Sequence, residues 1–280
     1  MRTGLDKWHW QCDACGYEAA DLVPAINEAS RHSLVDEAGR GNGLRALREQ
    51  NFRDLLHLIS RHLPQGQHKL LDVGAAHGWF VKMASGRFEA LGIEPDHAVC
   101  QKAREQGIPL LEGYFPEVLS SDDRFDIIVF NDVLEHIPDV GQTLKACSSH
   151  LTDGGLLVLN LPSSNGFFYK TSRILRRLGS SGAFERMWQK GLPSPHLHYF
   201  NTMNLIKLTE QHGFEQACVA DLPSIRFAGL YDRIAYVGGT GRLHNLLTYL
   251  AVAMSIPFIK QFDSDIAVII VRKNAASADK

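Results

Sequence analysis

The sequence predicts an α/β fold in which a doubly wound, mostly parallel sheet is covered by helices on both faces. Between residues 70 and 160, short apolar runs alternate with segments of helical periodicity. Strands that alternate with helices are joined by right-handed crossovers, and such crossovers make neighbouring strands parallel. The length of 280 residues and the hydrophobic fraction of 45% are sufficient for one large domain with small additions.

Each predicted element follows from a local pattern. Helices are predicted where apolar side chains recur at three- and four-residue spacing, at residues 44–59, 79–84, 98–105, 140–150 and 203–211. Pro64 and Gly66 follow the first of these helices and terminate it. Strands are predicted where apolar or β-branched residues form short runs, at residues 70–73, 90–93, 108–111, 125–130, 156–160 and 265–271.

Two segments lie outside this alternation. Residues 1–43 are predicted to form an irregular N-terminal appendage that ends in a glycine-rich linker at 39–43, and residues 44–280 are predicted to form the main domain. Residues 163–200 interrupt the alternation after the fifth strand and are predicted as a cap insertion. Six Lys and Arg residues in this cap could bind a phosphate-bearing ligand or could form a solvated helix face.

The composition argues against several classes of partner. The net charge of −2 at pH 7 gives no bulk attraction to nucleic acid or anionic membranes. The N-terminus lacks the apolar core of a secretory signal, and no run approaches the about 18 apolar residues of a membrane-spanning helix. Five scattered cysteines favour reduced thiols, so a cytoplasmic location is expected. The apolar run at 246–259 is predicted to pack beneath the cap or to form a homodimer contact.

A glycine loop follows the first strand, in the run Asp72-Val73-Gly74-Ala75-Ala76-His77-Gly78. Glycine lets the backbone come close to a ligand at such a turn. The dinucleotide fingerprint Gly-x-Gly-x-x-Gly is broken here, because Ala76 occupies its middle position. Asp72 places a carboxylate beside the loop, which disfavours a pyrophosphate and favours a ligand with an ammonium group. Glu94 could accept hydrogen bonds from ribose hydroxyls in either type of site.

In these residues the chain resembles class I S-adenosylmethionine-dependent methyltransferases, within the broad subgroup that includes ubiquinone-biosynthesis O-methyltransferases and many glycan- or natural-product-modifying enzymes. Four segments support the resemblance, at residues 70–78, 92–96, 125–137 and 151–155. It implies a Rossmann-like sheet of seven strands with one antiparallel strand near the C-terminus. It also implies S-adenosylmethionine as the cofactor, which has both an ammonium and a sulfonium, and methylation of a small-molecule or glycan-type acceptor on oxygen.

The resemblance places the cofactor site at the ends of the first four strands and in the loops that follow them. The residues it implies there are Asp72, Gly74, Ala75, Gly78, Glu94, Tyr114, Phe115, Asn131 and Asp132. Asp72 and Gly74 would line the methionine end, and Glu94 would bind the ribose. The aromatic pair after the third strand would flank the adenine. The polar pair after the fourth strand would face the sulfonium and the incoming acceptor.

Two histidines are the predicted catalytic residues. An oxygen nucleophile needs a base, and the near-neutral pKa of an imidazole makes His198 and His136 candidates. A structural role is the alternative for each, with His136 supporting the fourth strand and His198 packing in the cap. Asp132, Glu135 and His136 also resemble the metal-binding acidic segment of ubiquinone O-methyltransferases. No metal is predicted there, and a divalent ion is the alternative.

The pair Cys12-x-x-Cys15 has the spacing of half a zinc ribbon and resembles the appendage found before some methyltransferases of this group. A ribbon needs four ligands, and His9 and His32 are the nearest other candidates. A degenerate knuckle without metal is favoured, and zinc at Cys12 and Cys15 is the alternative. Two other functions stay open: a non-catalytic cofactor-binding or scaffold protein, and a nicotinamide-dependent oxidoreductase.

Overall fold

The computed structural model describes residues 1–24, 37–238 and 241–275. Its strands in chain order are β1 (Arg2–Thr3), β2 (His9–Gln11), β3 (Glu18–Ala20), β4 (Lys69–Val73), β5 (Glu89–Glu94), β6 (Leu110–Glu112), β7 (Phe125–Asn131), β8 (Leu151–Pro162), β9 (His198–Tyr199), β10 (Phe214–Leu222) and β11 (Ile266–Lys273). Its helices are α1 (Glu37–Ser60), α2 (Trp79–Ala84), α3 (His97–Glu105), α4 (Val140–His150), α5 (Phe167–Arg177), α6 (Gly182–Met187), α7 (Thr202–Glu210), α8 (Leu230–Gly238) and α9 (Arg242–Ile259). A 3₁₀ turn covers Leu134–His136.

The main sheet has seven strands in the order β10-β11-β8-β7-β4-β5-β6. The pairs among β8, β7, β4, β5 and β6 are parallel, and β11 runs antiparallel to both of its neighbours. The prediction of a mostly parallel seven-stranded sheet with one antiparallel strand near the C-terminus is therefore confirmed. β10 lies outside the strands that the sequence pattern indicated.

The core consists of two apolar layers, one on each face of this sheet. Successive side chains of a strand point to opposite faces, so Ile127 and Val129 of β7 belong to one layer while Ile128 and Phe130 belong to the other. All four are fully buried. Burial on both faces explains why the central strands appear in the sequence as continuous apolar runs.

The N-terminal segment forms a second, antiparallel sheet with the order β1-β2-β3-β9. Its strand β3 pairs with β9 of the cap, and the buried carboxylate of Glu18 accepts hydrogen bonds from His9 (2.6 Å), Tyr169 (2.8 Å) and Arg173 (2.7 Å). The prediction of an irregular appendage is therefore wrong for these residues. The predicted linker at 39–43 is also wrong, because these residues lie within α1.

Helix α9 has an unusual distribution of apolar side chains. The residues of one face are between 45% and 80% exposed: Leu243, Leu246, Leu247, Leu250, Met254 and Phe258. The expectation that the run at 246–259 packs in the core beneath the cap is wrong for the five of these side chains that belong to it. No helix in the described ranges is long and apolar enough to cross a membrane.

Candidate active site

A pocket of about 150 Å³ opens at the carboxyl edge of the main sheet, where β4 and β7 end. Such an edge is the usual ligand site of an open α/β sheet. The pocket lining includes five residues of the predicted cofactor set, Asp72, Gly74, Ala75, Asn131 and Asp132. The rest of the lining comes from α1, the glycine loop, α2 and the residue after Asp132, and consists of Arg48, Phe52, Ala76, His77, Trp79, Phe80 and Val133. We call this cavity the donor pocket.

Asp72 lies at the base of the donor pocket and is only 2% exposed. Its Oδ1 accepts a hydrogen bond of 3.1 Å from Nδ2 of Asn131, whose own Oδ1 accepts one of 3.3 Å from Asn160. Burial raises the pKa of Asp72 to about 7, the hydrogen bond from Asn131 opposes this rise, and the negative charge of Glu94 adds to it. Among the described residues, no cation forms an ion pair with this carboxyl group, so its charge is poorly stabilised in the absence of a ligand.

The glycine loop needs glycine at two of its positions. Gly74 has a φ of +73°, and a Cβ on it would lie 2.6 Å from Val133 Cγ2. Gly78 has a φ of +70°, and a Cβ there would lie 2.7 Å from Ile108 Cγ2. The Glu94 carboxylate accepts a hydrogen bond from the Ala76 N–H at 2.8 Å and therefore braces the loop at the wall of the donor pocket. Gly78 and Glu94 themselves lie outside the lining.

The aromatic pair predicted to flank an adenine also lies outside the lining of the donor pocket. Tyr114 is 47% exposed, as an adenine platform near the surface would be. Phe115 is half-buried and packs against Phe130 and His150, with ring centroids 5.9 and 6.1 Å apart. The structure thus separates the two neighbours, one at the surface and one against the core.

Arg48 of α1 is a residue of the donor pocket that sequence reasoning missed. It carries the positive charge that acts on Asp132 across the pocket. Asp132 has a φ of +54°, a left-handed conformation that is uncommon for residues with a side chain and recurs at active sites. Its N–H donates to the Asn160 carbonyl at 2.8 Å, which fixes this backbone.

Neither predicted catalytic histidine lines the donor pocket, and His198 lines a separate cavity of about 540 Å³. His198 is held at both ring nitrogens, because Tyr17 Oη donates to Nδ1 and Nε2 donates to the Ile137 carbonyl at 2.9 Å. His136 donates from Nδ1 to the Pro195 carbonyl at 2.8 Å, and its Nε2 lies 3.8 Å from Oε1 of Glu135. Burial lowers the pKa of both imidazoles and favours their neutral form.

Glu135 is fully buried, and neither oxygen of its carboxyl group has a hydrogen-bond partner among the described residues. Burial and the charge of Asp132 raise its pKa well above the ordinary range. Among the described residues, the one group of three side chains able to hold a metal ion is Glu135, His136 and His196, whose ligand atoms lie within 4.8 Å of one another. Asp132, the first member of the alternative set suggested by the sequence, is not part of this group.

Cys12 and Cys15 belong to no group of three metal ligands in the described part of the chain. His9, one of the residues considered as a further ligand, is buried and uses both ring nitrogens, one toward Glu18 and one toward the Leu5 N–H. His32 lies outside the described residues. The zinc alternative therefore gains no support from the geometry.

Comparison with known proteins gives a consistent result. The sequence model of the methyltransferase domain family matches residues 47–219. The chain is 26% identical over 167 residues to a ubiquinone biosynthesis O-methyltransferase of Bradyrhizobium sp. (55% of this chain, 64% of the relative) and 27% identical over 167 residues to one of Bradyrhizobium diazoefficiens (56% and 65%). The match thus spans just under two thirds of these relatives.

Solved structures share the fold. An S-adenosylmethionine-dependent methyltransferase of Thermotoga maritima, described as a possible histamine N-methyltransferase, superposes with a TM-score of 0.56 at 18% identity, covering 86% of this chain and 97% of the other. At this identity the likeness concerns the fold alone.

Proposed function

This chain belongs to the methyltransferase domain family, and we propose that it transfers a methyl group from S-adenosylmethionine to an oxygen of a small-molecule or sugar-like acceptor. The resemblance that the sequence motifs indicated is confirmed at the level of the family. The observation that supports the donor is the carboxyl group of Asp72 in the lining of the donor pocket, where burial raises its pKa to about 7. Arg48 supplies a cation in the same pocket.

This arrangement of charges fits the methionine end of the donor. A zwitterionic amino acid offers an ammonium to Asp72 and a carboxylate to Arg48, and both contacts are charge-assisted hydrogen bonds. A dinucleotide would bring a pyrophosphate to the same loop, where the Asp72 carboxylate would repel it. When bound, S-adenosylmethionine supplies a methyl group on a positively charged sulfur. The protein positions the acceptor, because displacement at carbon requires the acceptor oxygen to lie in line with that methyl group.

For removal of the proton from a hydroxyl, the geometry favours His136 over His198. The hydrogen bond from Nδ1 of His136 to the Pro195 carbonyl leaves Nε2 as the unprotonated nitrogen, whereas both nitrogens of His198 are engaged. We therefore assign proton removal to His136 and positioning of the cap to His198. A base acts in its deprotonated form, so the rate should fall as the pH drops through the lowered pKa of His136, below 6.5.

Support for oxygen as the accepting atom comes from the relatives whose names specify O-methylation. A methyl-labelled donor, offered with hydroxylated acceptors and with matched amines, tests the atom directly. Label that appears in ethers supports oxygen, and label confined to amines contradicts it. The variant His136→Gln tests the base. We expect reduced turnover and loss of the acidic limb of the pH profile.

Calorimetry with S-adenosylhomocysteine and with NAD tests the donor. We expect the wild-type protein to bind S-adenosylhomocysteine and Asp72→Ala to lose this binding, while Asp122→Ala, which changes an exposed carboxylate, retains it. Tighter binding of NAD than of S-adenosylhomocysteine would refute the proposal and favour an oxidoreductase. Binding of S-adenosylhomocysteine without turnover of any acceptor would favour a scaffold protein.

The exposed face of α9 supports a homodimer. Its six apolar side chains offer about 700 Å² of surface, at roughly 200 Å² for a fully exposed large side chain, which approaches the about 800 Å² per partner of a standard interface. Sedimentation equilibrium should therefore detect dimers of the wild-type protein and monomers of Leu247→Glu. Met203→Glu, on the exposed surface of α7, is the matched control. A wild-type protein that stays monomeric at 100-fold the working concentration, on the order of 100 μM, contradicts the dimer.

A further inference from the structure

A second cavity, of about 490 Å³, lies between the cap and the two C-terminal helices. Its volume is within the range of small-molecule sites. The side chains that matter for its chemistry are Arg186 of α6, Arg233 of α8, His244 and Asn245 of α9, Phe168 of α5, and Asp265 before β11. We call it the arginine pocket.

The arginine pocket opens at the same edge of the sheet as the donor pocket. Asp265 immediately precedes β11, whose first residue Ile266 pairs with Pro162, the last residue of β8. Asn131 of the donor pocket ends β7, and it pairs with Asn160 of β8. The strand ends that border the two pockets, at Asn131 and Asp265, are thus two strand spacings apart, about 10 Å. A small molecule anchored in the arginine pocket could extend to the position of the transferred methyl group.

Arg186 and Arg233 both line this pocket, and the charge of Arg186 acts on Arg233. Among the described residues, neither Arg186 nor Arg233 has a carboxylate within ion-pair distance. Arg233 makes one long contact, 3.5 Å, to the Ser224 carbonyl, and burial and the charge of Arg186 lower its pKa. The carboxylate of Asp265 accepts hydrogen bonds from the N–H groups of Phe168 and Tyr169 at 3.1 and 2.8 Å.

Helix α9 is oriented so that its polar side faces this pocket. His244, Asn245 and Thr248 line the cavity, while the apolar face is exposed. A helix that only stabilised the fold would turn its apolar face inward, so the polar residues indicate that the cavity accommodates a polar ligand. The rest of the wall is mostly apolar and includes Met187, Leu230 and, from α9 itself, Val252, which suits a ligand with a carbon body.

We propose that the arginine pocket binds a phosphate or carboxylate group of the methyl acceptor, through Arg186 and Arg233, and that the acceptor is a small organic anion. An anion between the two guanidinium groups removes their repulsion and forms charge-assisted hydrogen bonds with both. The anion site stands on the geometry alone. That its ligand is the acceptor rests on the proposed methyl transfer.

Titration calorimetry at low ionic strength tests the anion site, with phenyl phosphate, benzoate and the neutral benzyl alcohol as probes and S-adenosylhomocysteine titrated separately. We expect at least one anionic probe to bind tenfold or more tightly than benzyl alcohol. Arg186→Gln and Arg233→Gln should each weaken that binding about tenfold or more, as expected for loss of a hydrogen bond to a charged group. Arg177→Gln, an exposed arginine of α5 outside the pocket, should leave it unchanged.

Each outcome has one meaning. Preference for phenyl phosphate identifies a phosphate acceptor, and preference for benzoate identifies a carboxylate acceptor. Anionic probes that bind no better than benzyl alcohol, or Arg186→Gln with wild-type affinity, overturn the anion site. Should Arg233→Gln fail to fold, Arg186→Gln decides the matter, because Arg186 is exposed. Failure of the wild-type protein to bind S-adenosylhomocysteine contradicts the proposed function and leaves the anion site standing.

Discussion

Replacing Asp72 by asparagine should make the unliganded protein more stable at neutral pH while weakening donor binding. Asparagine has nearly the shape of aspartate, and its Oδ1 can still accept the hydrogen bond from Asn131. The substitution removes only the charge that burial disfavours. The substitution therefore distinguishes two effects of the carboxylate, which lowers the stability of the unliganded protein and contributes to the binding of a cationic ligand.

The magnitude follows from the rise in the pKa of Asp72, from 3.8 to about 7. Between these values Asp72 binds more protons in the native state than in the unfolded chain, so its contribution to stability falls as the pH rises from 4 to 7. A difference of about 3 pKa units corresponds to about 4 kcal/mol at pH 7 and above. Asp72→Asn does not lose this free energy of unfolding, and its Tm at pH 7.5 should be on the order of 8 °C higher than that of the wild-type protein.

Scanning calorimetry of both proteins without ligand, at pH 5, 6, 7 and 8, measures this difference. The gap in Tm should widen with pH, and S-adenosylhomocysteine should bind Asp72→Asn at least tenfold more weakly. Asp122→Asn, which alters an exposed carboxylate, should follow the wild-type curve. A constant gap across the pH range, or an Asp72→Asn protein no more stable than wild type, would refute the reasoning that Asp72 is an uncompensated buried acid.

Three further results are expected. Glu18→Gln should lower the Tm by about 6 °C, because it leaves Arg173 half-buried without its partner at a cost of about 3 kcal/mol; a fall below 2 °C contradicts the role given to this network. Arg48→Gln should weaken S-adenosylhomocysteine binding about tenfold in calorimetry, whereas Arg53→Gln on the same helix should not. Equal affinities of the two variants would exclude a contact between Arg48 and the carboxylate of the ligand. Elemental analysis should find less than one zinc per chain, unchanged in Cys12→Ser; a full equivalent that this variant loses would restore the zinc alternative.

The alternation of strands and helices could be predicted because its determinants are local. Helix α4 begins and ends where the sequence pattern places it, since the side chain of Asp139 accepts a hydrogen bond from Gln142 N and caps it. β10 could not be found in the same way, because it is an edge strand with half-exposed, partly polar residues. The pairing of the N-terminal sheet with the cap could not be predicted, because Glu18 pairs with Tyr199, far away in the sequence.

The same distinction applies to the site. Asp72 and Asn131 could be predicted together, because they end neighbouring parallel strands and the ends of such strands meet at one edge. Arg48 lies on the helix before β4, and its approach to the pocket depends on how that helix docks. Arg186 and Arg233 each resemble a solvated charge on a short helix, and only the packing of α6, α8 and α9 reveals that they share a cavity.

The two halves of the site therefore differ in how they are built. The donor half is fixed by the sheet, where a shift of Asp72 would break the pairing of β4 with both β5 and β7. The proposed acceptor half consists mainly of helices, and polar side chains such as His244 and Thr248 line it. Substitutions on the inner face of α9 can then change the acceptor without altering the donor pocket. An enzyme built in this way can keep one cofactor while its substrate changes, which explains why the sequence identifies the methyl donor so much more readily than the acceptor.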